Sequence, residues 1–292
     1  MSDENDPLVR HLVELCKELD GDAIPILLGG GMGLYLRLRF IAPRTSRYPF
    51  DLPVRSTADL DVFLSSSLIV DRPKIEALRA ALGRLGYEVA PEAKNFQFAK
   101  TVRVLGQDRR IKVDLLSAPP EKGDAGKVEV KRPRIKPAGA RGIHAYLTEE
   151  AAGIEIGKQP VEMARLDPEA RLQNRILFLP SSFNFLILKL NAFGDRKNDA
   201  DSDYGRHHAA DLFAAVARMG ETDWAVAKEH LAAHGEREYL KKTQAIRREN
   251  FSKAADLGLL RLRESETYRR NREVFNTRLE QFIADLQDLF PG

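Results

Sequence analysis

The chain has 292 residues, 43% hydrophobic and 30% charged, with a net charge of +3. That is apolar material for one large core or two modest ones, and too little net charge to argue alone for a polyanionic partner. The single cysteine, Cys16, excludes an internal disulfide, and no apolar run reaches the ~18–20 residues that a membrane-spanning helix needs.

The N-terminus, Met1-Ser2-Asp3-Glu4-Asn5-Asp6, is acidic and unlike a signal peptide, so a cytoplasmic protein is expected. Leu8, Leu12, Leu15 and Leu19 recur at helical spacing and predict a helix over 7–20, with Pro7 in its first turn, Asp6 as its cap, Cys16 as a small apolar residue and Gly21 as its end. A short apolar run over 23–28 reads as a buried strand. Gly29-Gly30-Gly31-Met32-Gly33 follows, where a strand hands over to a helix predicted over 32–40 with Arg37 and Arg39 outward. Residues 41–56 read as a loop and 57–64 as a strand. An amphipathic helix over 72–86 turns Ile75, Leu78, Leu82 and Leu85 inward. Two strands over 96–104 and 110–116 turn at Gly106-Gln107-Asp108. Residues 117–142, rich in Pro, Gly, Lys and Arg, read as an irregular excursion, and 161–166 as one more strand. From Ser181 the pattern is helical, with helices near 181–194, 204–218, 223–234, 237–255 and 264–289. The fold class is therefore α/β (α+β), a mixed sheet with flanking helices and then an all-helical half. The boundary falls near 167–180, giving domains 1–166 and 167–292.

The chemistry concentrates in Asp59-Leu60-Asp61 and in Val113-Asp114-Leu115. Successive strand side chains point to opposite faces, so Asp59 and Asp61 share one face and Leu60 and Val62 the other. Phosphoryl and nucleotidyl transfer need charge neutralised on the phosphates and on the attacking oxygen, which two Mg²⁺ ions roughly 3.5–4 Å apart achieve when shared carboxylates hold them. Asp59 and Asp61 would bridge metals and triphosphate. Asp114, on a neighbouring strand, would bind the metal beside the attacking hydroxyl and help take its proton.

Gly30-Gly31, Asp59-Leu60-Asp61 and Val113-Asp114-Leu115 together resemble the nucleotidyltransferase superfamily of DNA polymerase beta type over roughly residues 22–116. Leu34-Tyr35-Leu36 and Asp59-Leu60-Asp61-Val62-Phe63 look especially like the AbiEii-like and MenT-like toxin nucleotidyltransferases of toxin–antitoxin systems. The resemblance implies that Gly30 and Gly31 contact the incoming phosphates, in keeping with the anion affinity of helix N-terminal amides and bare glycine backbone.

Residues 182–196 resemble that family's Leu-Lys-Leu-x-Ala…Arg helix, carried here by Leu188-Lys189-Leu190-Asn191-Ala192 and Arg196. His208-Ala209-Ala210-Asp211-Leu212 resembles its Lys-Asp-x-x-Asp-Leu element, with His207-His208 in place of Lys-Asp. A helix puts Lys189 and Arg196 on one face, and a lysine among Phe185, Leu186, Leu188 and Leu190 is costly to bury unless its charge meets phosphate or carboxylate. The resemblance makes Lys189 and Arg196 triphosphate contacts and gives Asp211, like Lys189 counted in the catalytic set, the task of orienting Lys189 or of helping the site. The other reading is a snorkelling lysine beside an ordinary helix cap.

Other signals are weaker. G-x-G-x-x-G would need glycine where Leu34 stands, and no G-x-x-x-x-G-K-[ST] is present. His230 and His234 have the spacing of a helical zinc pair but no third ligand, and read as helix surface. Ser65-Ser66-Ser67 reads as a loop or cap, and Ser56 and Thr57 as strand-edge hydroxyls. Residues 237–272 hold eleven basic and five acidic side chains, and 122–136 are also basic. Such a surface suits an RNA backbone or is simply a solvated helix face; Tyr239, Phe251 and Tyr268 interleave with it or belong to the core.

The expectation is a Mg²⁺-dependent enzyme that moves NMP from an NTP to a hydroxyl with release of pyrophosphate. The resemblance adds tRNA 3′ ends as acceptor and a cognate antitoxin as partner. A small-molecule acceptor of aminoglycoside type, a protein acceptor, or a non-catalytic nucleotide- or RNA-binding module stay open beside it.

Overall fold

Leu8, Leu12, Leu15, Cys16 and Leu19 line the buried stripe of helix α1 (Pro7–Asp20). Strand β1 (Ile26–Leu28) follows, and helix α2 (Gly30–Phe40) starts directly after Gly29. The computed structural model describes residues 7–41, 48, 59–93, 95–104, 106–124, 126–139 and 143–292. The Asp6 cap, Ser56, Thr57 and nearly all of the loop expected over 41–56 lie outside the described residues. By contact the chain divides into two units, residues 1–33 with 56–180 and residues 34–55 with 181–292.

The first unit is a mixed sheet with helices. After β1 and the start of α2 come β2 (Asp59–Leu64), α3 (Ser66–Val70), α4 (Arg72–Arg84), β3 (Glu88–Val89), β4 (Gln97–Val104) and β5 (Gln107–Ser117). Next come β6 (Val128–Lys131), β7 (Arg134–Pro137), β8 (Ala145–Leu147), β9 (Gln159–Pro160) and β10 (Leu177–Leu179). Among the described residues these form one ten-stranded sheet in the order β6-β7-β8-β5-β2-β1-β10-β9, with β4 also on β5 and β3 on β4. β2 and β5 run parallel, Asp61 opposite Asp114 and Asp59 opposite Lys112. Leu60, Val62, Val113 and Leu115 point to the other face and are fully buried, which fixes the register. Ser65 caps α3 by accepting from the Leu68 amide at 3.1 Å, and Asp71 caps α4.

Two stretches of this unit differ from the sequence reading. The excursion over 117–142 contains the antiparallel hairpin β6–β7; its Lys and Arg side chains decorate strands at a sheet edge, where charge is the usual guard against unwanted pairing. The strand expected over 161–166 is replaced by a 3₁₀ turn at Met163–Arg165, and the pairing segments lie on either side, at β9 and β10. Asp20, at the end of α1, accepts from the Gln173 and Asn174 amides at 2.7 and 2.8 Å and so anchors the approach to β10.

The second unit holds α2 from Leu34 onward with α5 (Ser182–Arg196), α6 (Arg206–Ala217), α7 (Glu221–His234), α8 (Glu238–Asn250), α9 (Leu257–Glu264), α10 (Glu266–Arg270) and α11 (Arg272–Leu289). The helix expected over 264–289 is interrupted twice. Ser265 is extended, closing α9 and capping α10 through Tyr268, and Asn271 leaves helical geometry before α11. The core is aromatic: Phe183, Phe193, Phe213, Phe251, Phe275 and Phe282 are fully buried, and the Phe213 ring lies 4.1 Å from that of Phe275. Tyr239, Phe251 and Tyr268 are buried too, so they belong to the core and do not interleave with the exposed basic side chains.

Two polar residues expected at the surface are inside. Arg37 is 2% exposed. Its Nε donates to Ser182 Oγ at 2.8 Å and its guanidinium pairs with Asp223, which also accepts from Ser182 and from the Gly220 amide. His230 is also fully buried, 2.8 Å from Tyr239 Oη and edge-on to Phe183. Helical spacing alone could not separate these residues from Arg39 and His234, which are more exposed.

Removing one partner of a buried ion pair strands the other charge, so Asp223→Ala should cost about 3–5 kcal/mol in urea unfolding; a loss within the range of a surface substitution would make the pair incidental. Burial, followed by the charge of His234, pushes the His230 imidazole down to about 4 from its ordinary 6.5. The unfolded chain therefore binds a proton that the fold refuses, and stability present above 6.5 should be lost as pH falls toward 4. Between pH 7 and pH 5 the urea midpoint should drop more in the native chain than in His230→Phe; equal drops would remove His230 from the acid response.

Candidate active site

The three carboxylates expected from the sequence lie on one face of the first unit's sheet. Directly paired strand residues share a face, so the register places Gln97, Asp114 and Asp61 in one row across β4, β5 and β2, with Ala99, Lys112 and Asp59 in the next. Gln97 Nε2 donates to Asp114 Oδ1 at 2.6 Å. Nothing in the sequence marked Gln97, because it meets Asp114 only through strand register.

The glycine turn fits against this face. The Gly29 amide donates to the Asp61 carbonyl at 2.8 Å, and the Gly29 carbonyl accepts from Gly33 at the start of α2. A Cβ at Gly29 would come within 2.3 Å of the Phe63 ring. At Gly30 the backbone has φ +59, and a Cβ would sit 1.6 Å from Asp61 Oδ2. Both positions thus require glycine for reasons internal to the fold: one side chain of β2 lies against each. The same bareness leaves the first amides of α2 beside the Asp61 carboxylate, at the end of a helix that favours anions. Gly31 lies in the first turn of α2.

Electrostatically the face is short of positive charge at Asp114. Burial raises the pKa of its carboxyl; the Gln97 hydrogen bond opposes that rise, Asp59 adds to it, and Lys112 offsets it in part. Among the described residues no three carboxylate, imidazole or thiol groups already converge as an ion cage. The donor chemistry nonetheless suits a hard divalent cation, since Asp59, Asp61 and Asp114 offer carboxylate oxygens on one face and a cation there would relieve the like-charge burden on Asp114.

The remaining expected residues belong to the second unit. Lys189 on α5 is buried and donates to Asp211 Oδ2 on α6 at 2.6 Å. Arg196, in the last turn of α5, donates to His208 Nε2 at 2.8 Å. The His207 and His208 rings lie 3.9 Å apart. Of the basic stretch over 237–272, Lys241, Lys242, Arg248, Lys253, Arg269 and Arg270 are exposed. Arg247 turns inward and donates to the Phe290 carbonyl at 2.6 Å.

No known protein family matches this sequence, and no curated protein does. Among solved structures, the chain is similar to the antibiotic-resistance factor ANT(2'')-Ia, determined in solution. The two are 14% identical, over 79% of this chain and 96% of that one, with a TM-score of 0.32. A likeness of that size decides neither substrate nor mechanism. No described helix is long and apolar enough to cross a membrane.

A carboxyl whose pKa is raised on folding favours the fold below its ordinary range, and that stability is lost as pH rises through the raised value. Asp114→Asn should therefore match or exceed the native melting temperature at pH 7; a clear fall would show that the carboxylate is structurally required. Gly30→Ala should cost about 1–3 kcal/mol from backbone conformation alone, with Asp61 displaced as well. Unchanged melting and unchanged activity would refute the close approach.

Proposed function

We propose that the chain is a nucleotidyltransferase that moves NMP from an NTP to a hydroxyl acceptor, with pyrophosphate leaving. The observation that carries this reading is the shared face of Asp59, Asp61 and Asp114 with Gly30 pressed against Asp61. It puts carboxylates and a glycine-built helix start side by side, as a triphosphate and its counter-ions require.

Asp59 and Asp61 would hold divalent cations together with the triphosphate, and Asp114 would hold the ion beside the acceptor. When bound, two Mg²⁺ would supply charge neutralisation on the phosphates and lower the pKa of the attacking hydroxyl. The chain's own work is positional. The α2 amides at Gly30 and Gly31 orient phosphate oxygens. Gln97 fixes the rotamer of Asp114. Asp114, beside the acceptor, would help take the proton of its hydroxyl.

The finer reading is a toxin of AbiEii-like or MenT-like type that modifies tRNA 3′ ends and is held in check by an antitoxin. It rests on the sequence resemblance and on the exposed basic side chains of α8 and α10. The resemblance also gives Lys189 and Arg196 to the triphosphate and Asp211 to the positioning of Lys189. The Lys189–Asp211 pair is equally the kind of buried strut that ties two helices together.

The deciding assay incubates the protein with Mg²⁺, each α-labelled NTP in turn and total tRNA. Label should enter the tRNA band and vanish in Asp59→Ala, Asp61→Ala and Asp114→Ala. Label in protein or in a small molecule would move the acceptor, and NTP binding without any transfer would make the chain a nucleotide-binding module. Lys189→Ala should raise the KM for NTP; an unchanged KM with lowered stability would return the pair to a structural role.

A further inference from the structure

β5 has β2 along one edge and shares its other edge between two strands. β4 pairs with it up to Asp114, and β8 takes over at Leu116. The two strands meet one residue beyond Asp114, where the His144 amide donates to the Asn95 carbonyl at 2.7 Å and the Leu115 amide to the Phe96 carbonyl at 2.8 Å. Three side chains gather at this seam. Tyr146, opposite Leu116, is 39% exposed, one of the few large apolar side chains left open to solvent. Its ring lies 5.5 Å from that of Phe96 at 60°. Arg134, opposite Tyr146 on β7, holds its guanidinium 5.9 Å from the centre of the Phe96 ring.

Register carries Tyr146 and Arg134 to the face of Asp114, and Phe96 joins them by ring contact. Leu116 is two residues beyond Asp114 on β5, so it shares the face of Asp114, and its partner Tyr146 and the next partner Arg134 do too. Along the sheet the order is then the glycine turn after β1, Asp61 on β2, Asp114 on β5, Tyr146 on β8 and Arg134 on β7. The glycine turn lies on the triphosphate side of Asp61. The aromatic pair lies on the opposite side of Asp114, the side that the proposed function leaves for the acceptor. Beyond it, the hairpin region carries Lys127, Lys131, Arg132 and Lys136, of which Lys127 lies beside Asp124, Arg132 pairs with Glu149 and Lys136 with Glu129. Beside the seam, the His144 Nδ1 is buried without a hydrogen-bond partner.

We propose that Tyr146, Phe96 and Arg134 form a platform on which an unpaired nucleobase of the acceptor strand stacks, delivering its terminal hydroxyl to Asp114. An exposed aromatic ring backed by a second ring and a guanidinium is a sequence-tolerant way to hold an unpaired base, and lysines and arginines alongside track the phosphates that follow it. The acceptor assignment rests on the nucleotidyltransferase reading; the platform itself has a readout that does not need transfer.

The test measures binding, without NTP, of two labelled single-stranded RNAs that differ only in a normal or an abasic 3′ residue. The native protein should bind the normal strand at least about fivefold more tightly. Tyr146→Ala should abolish that preference and Tyr146→Phe retain it. Arg134→Gln serves as the second variant should Tyr146→Ala lose its fold by circular dichroism, and it should weaken the preference. In turnover, Tyr146→Ala should raise the KM for the acceptor and leave that for NTP unchanged. Equal binding of the two strands, or a preference that survives Tyr146→Ala, overturns the platform. A rise confined to the KM for NTP overturns its assignment to the acceptor. Base-dependent binding through Tyr146 without transfer to RNA, protein or any small molecule would remove the nucleotidyltransferase reading and leave an RNA-binding seam.

Discussion

The contact around which the first unit's carboxylate face is organised is the approach of the Asp61 carboxylate to Gly30. It joins three requirements at one point. The β1–α2 connection must turn through a left-handed conformation. β2 must be in the register that places Asp61 opposite Asp114. The first turn of α2 must begin with no side chain between its amides and the sheet. A side chain at position 30 would break all three together. The glycines therefore serve the fold first, and whatever anion affinity they have follows from the same bare backbone. Phe63 against Gly29 repeats the arrangement one residue earlier with an apolar partner, so the turn is gripped on two successive residues by the same strand.

The second unit relies on polar contacts inside an aromatic core. Asn191 donates to Thr243 at 2.8 Å, and Tyr48 donates to Asp285; with the pairs at Arg37 and Lys189, these join residues distant in sequence. Buried pairs of this kind contribute less to net stability than their distances suggest, because desolvation offsets much of the attraction. What they do well is specify. Phenylalanines tolerate several packings, whereas an arginine that must meet Asp223 and Ser182 accepts one.

Much of this was legible in the residue pattern, and the exceptions have physical reasons. The mixed sheet followed by helices, the alternation that puts Asp59 and Asp61 on one face, and Asp114 on a neighbouring strand all follow from periods of two and 3.6. Gln97 and Tyr146 were not legible, because their neighbours are set by strand pairing across long separations. Arg37 and His230 were misread, because helical spacing says which side chains share a face and not what covers it. The hairpin at β6–β7 was hidden by its composition: lysine and arginine in short strands read as loop, although short charged strands are what a sheet edge tolerates. The 3₁₀ turn at Met163–Arg165 shows the reverse error, where the short alternation Val161-Glu162-Met163 suggested a strand.

That edge has a consequence for how the protein behaves in concentrated solution. Among the described residues β6 has a neighbour on one side only, and it reads Val128-Glu129-Val130-Lys131, with Val130 45% exposed. Its open hydrogen-bonding groups would accept a strand from another molecule, and the valines would pack in any such stack. Glu129, Lys131 and the four-residue length keep the edge from acting as a template. Neutralising the two charges would leave a bare valine edge, open to pairing with the same edge of a second molecule.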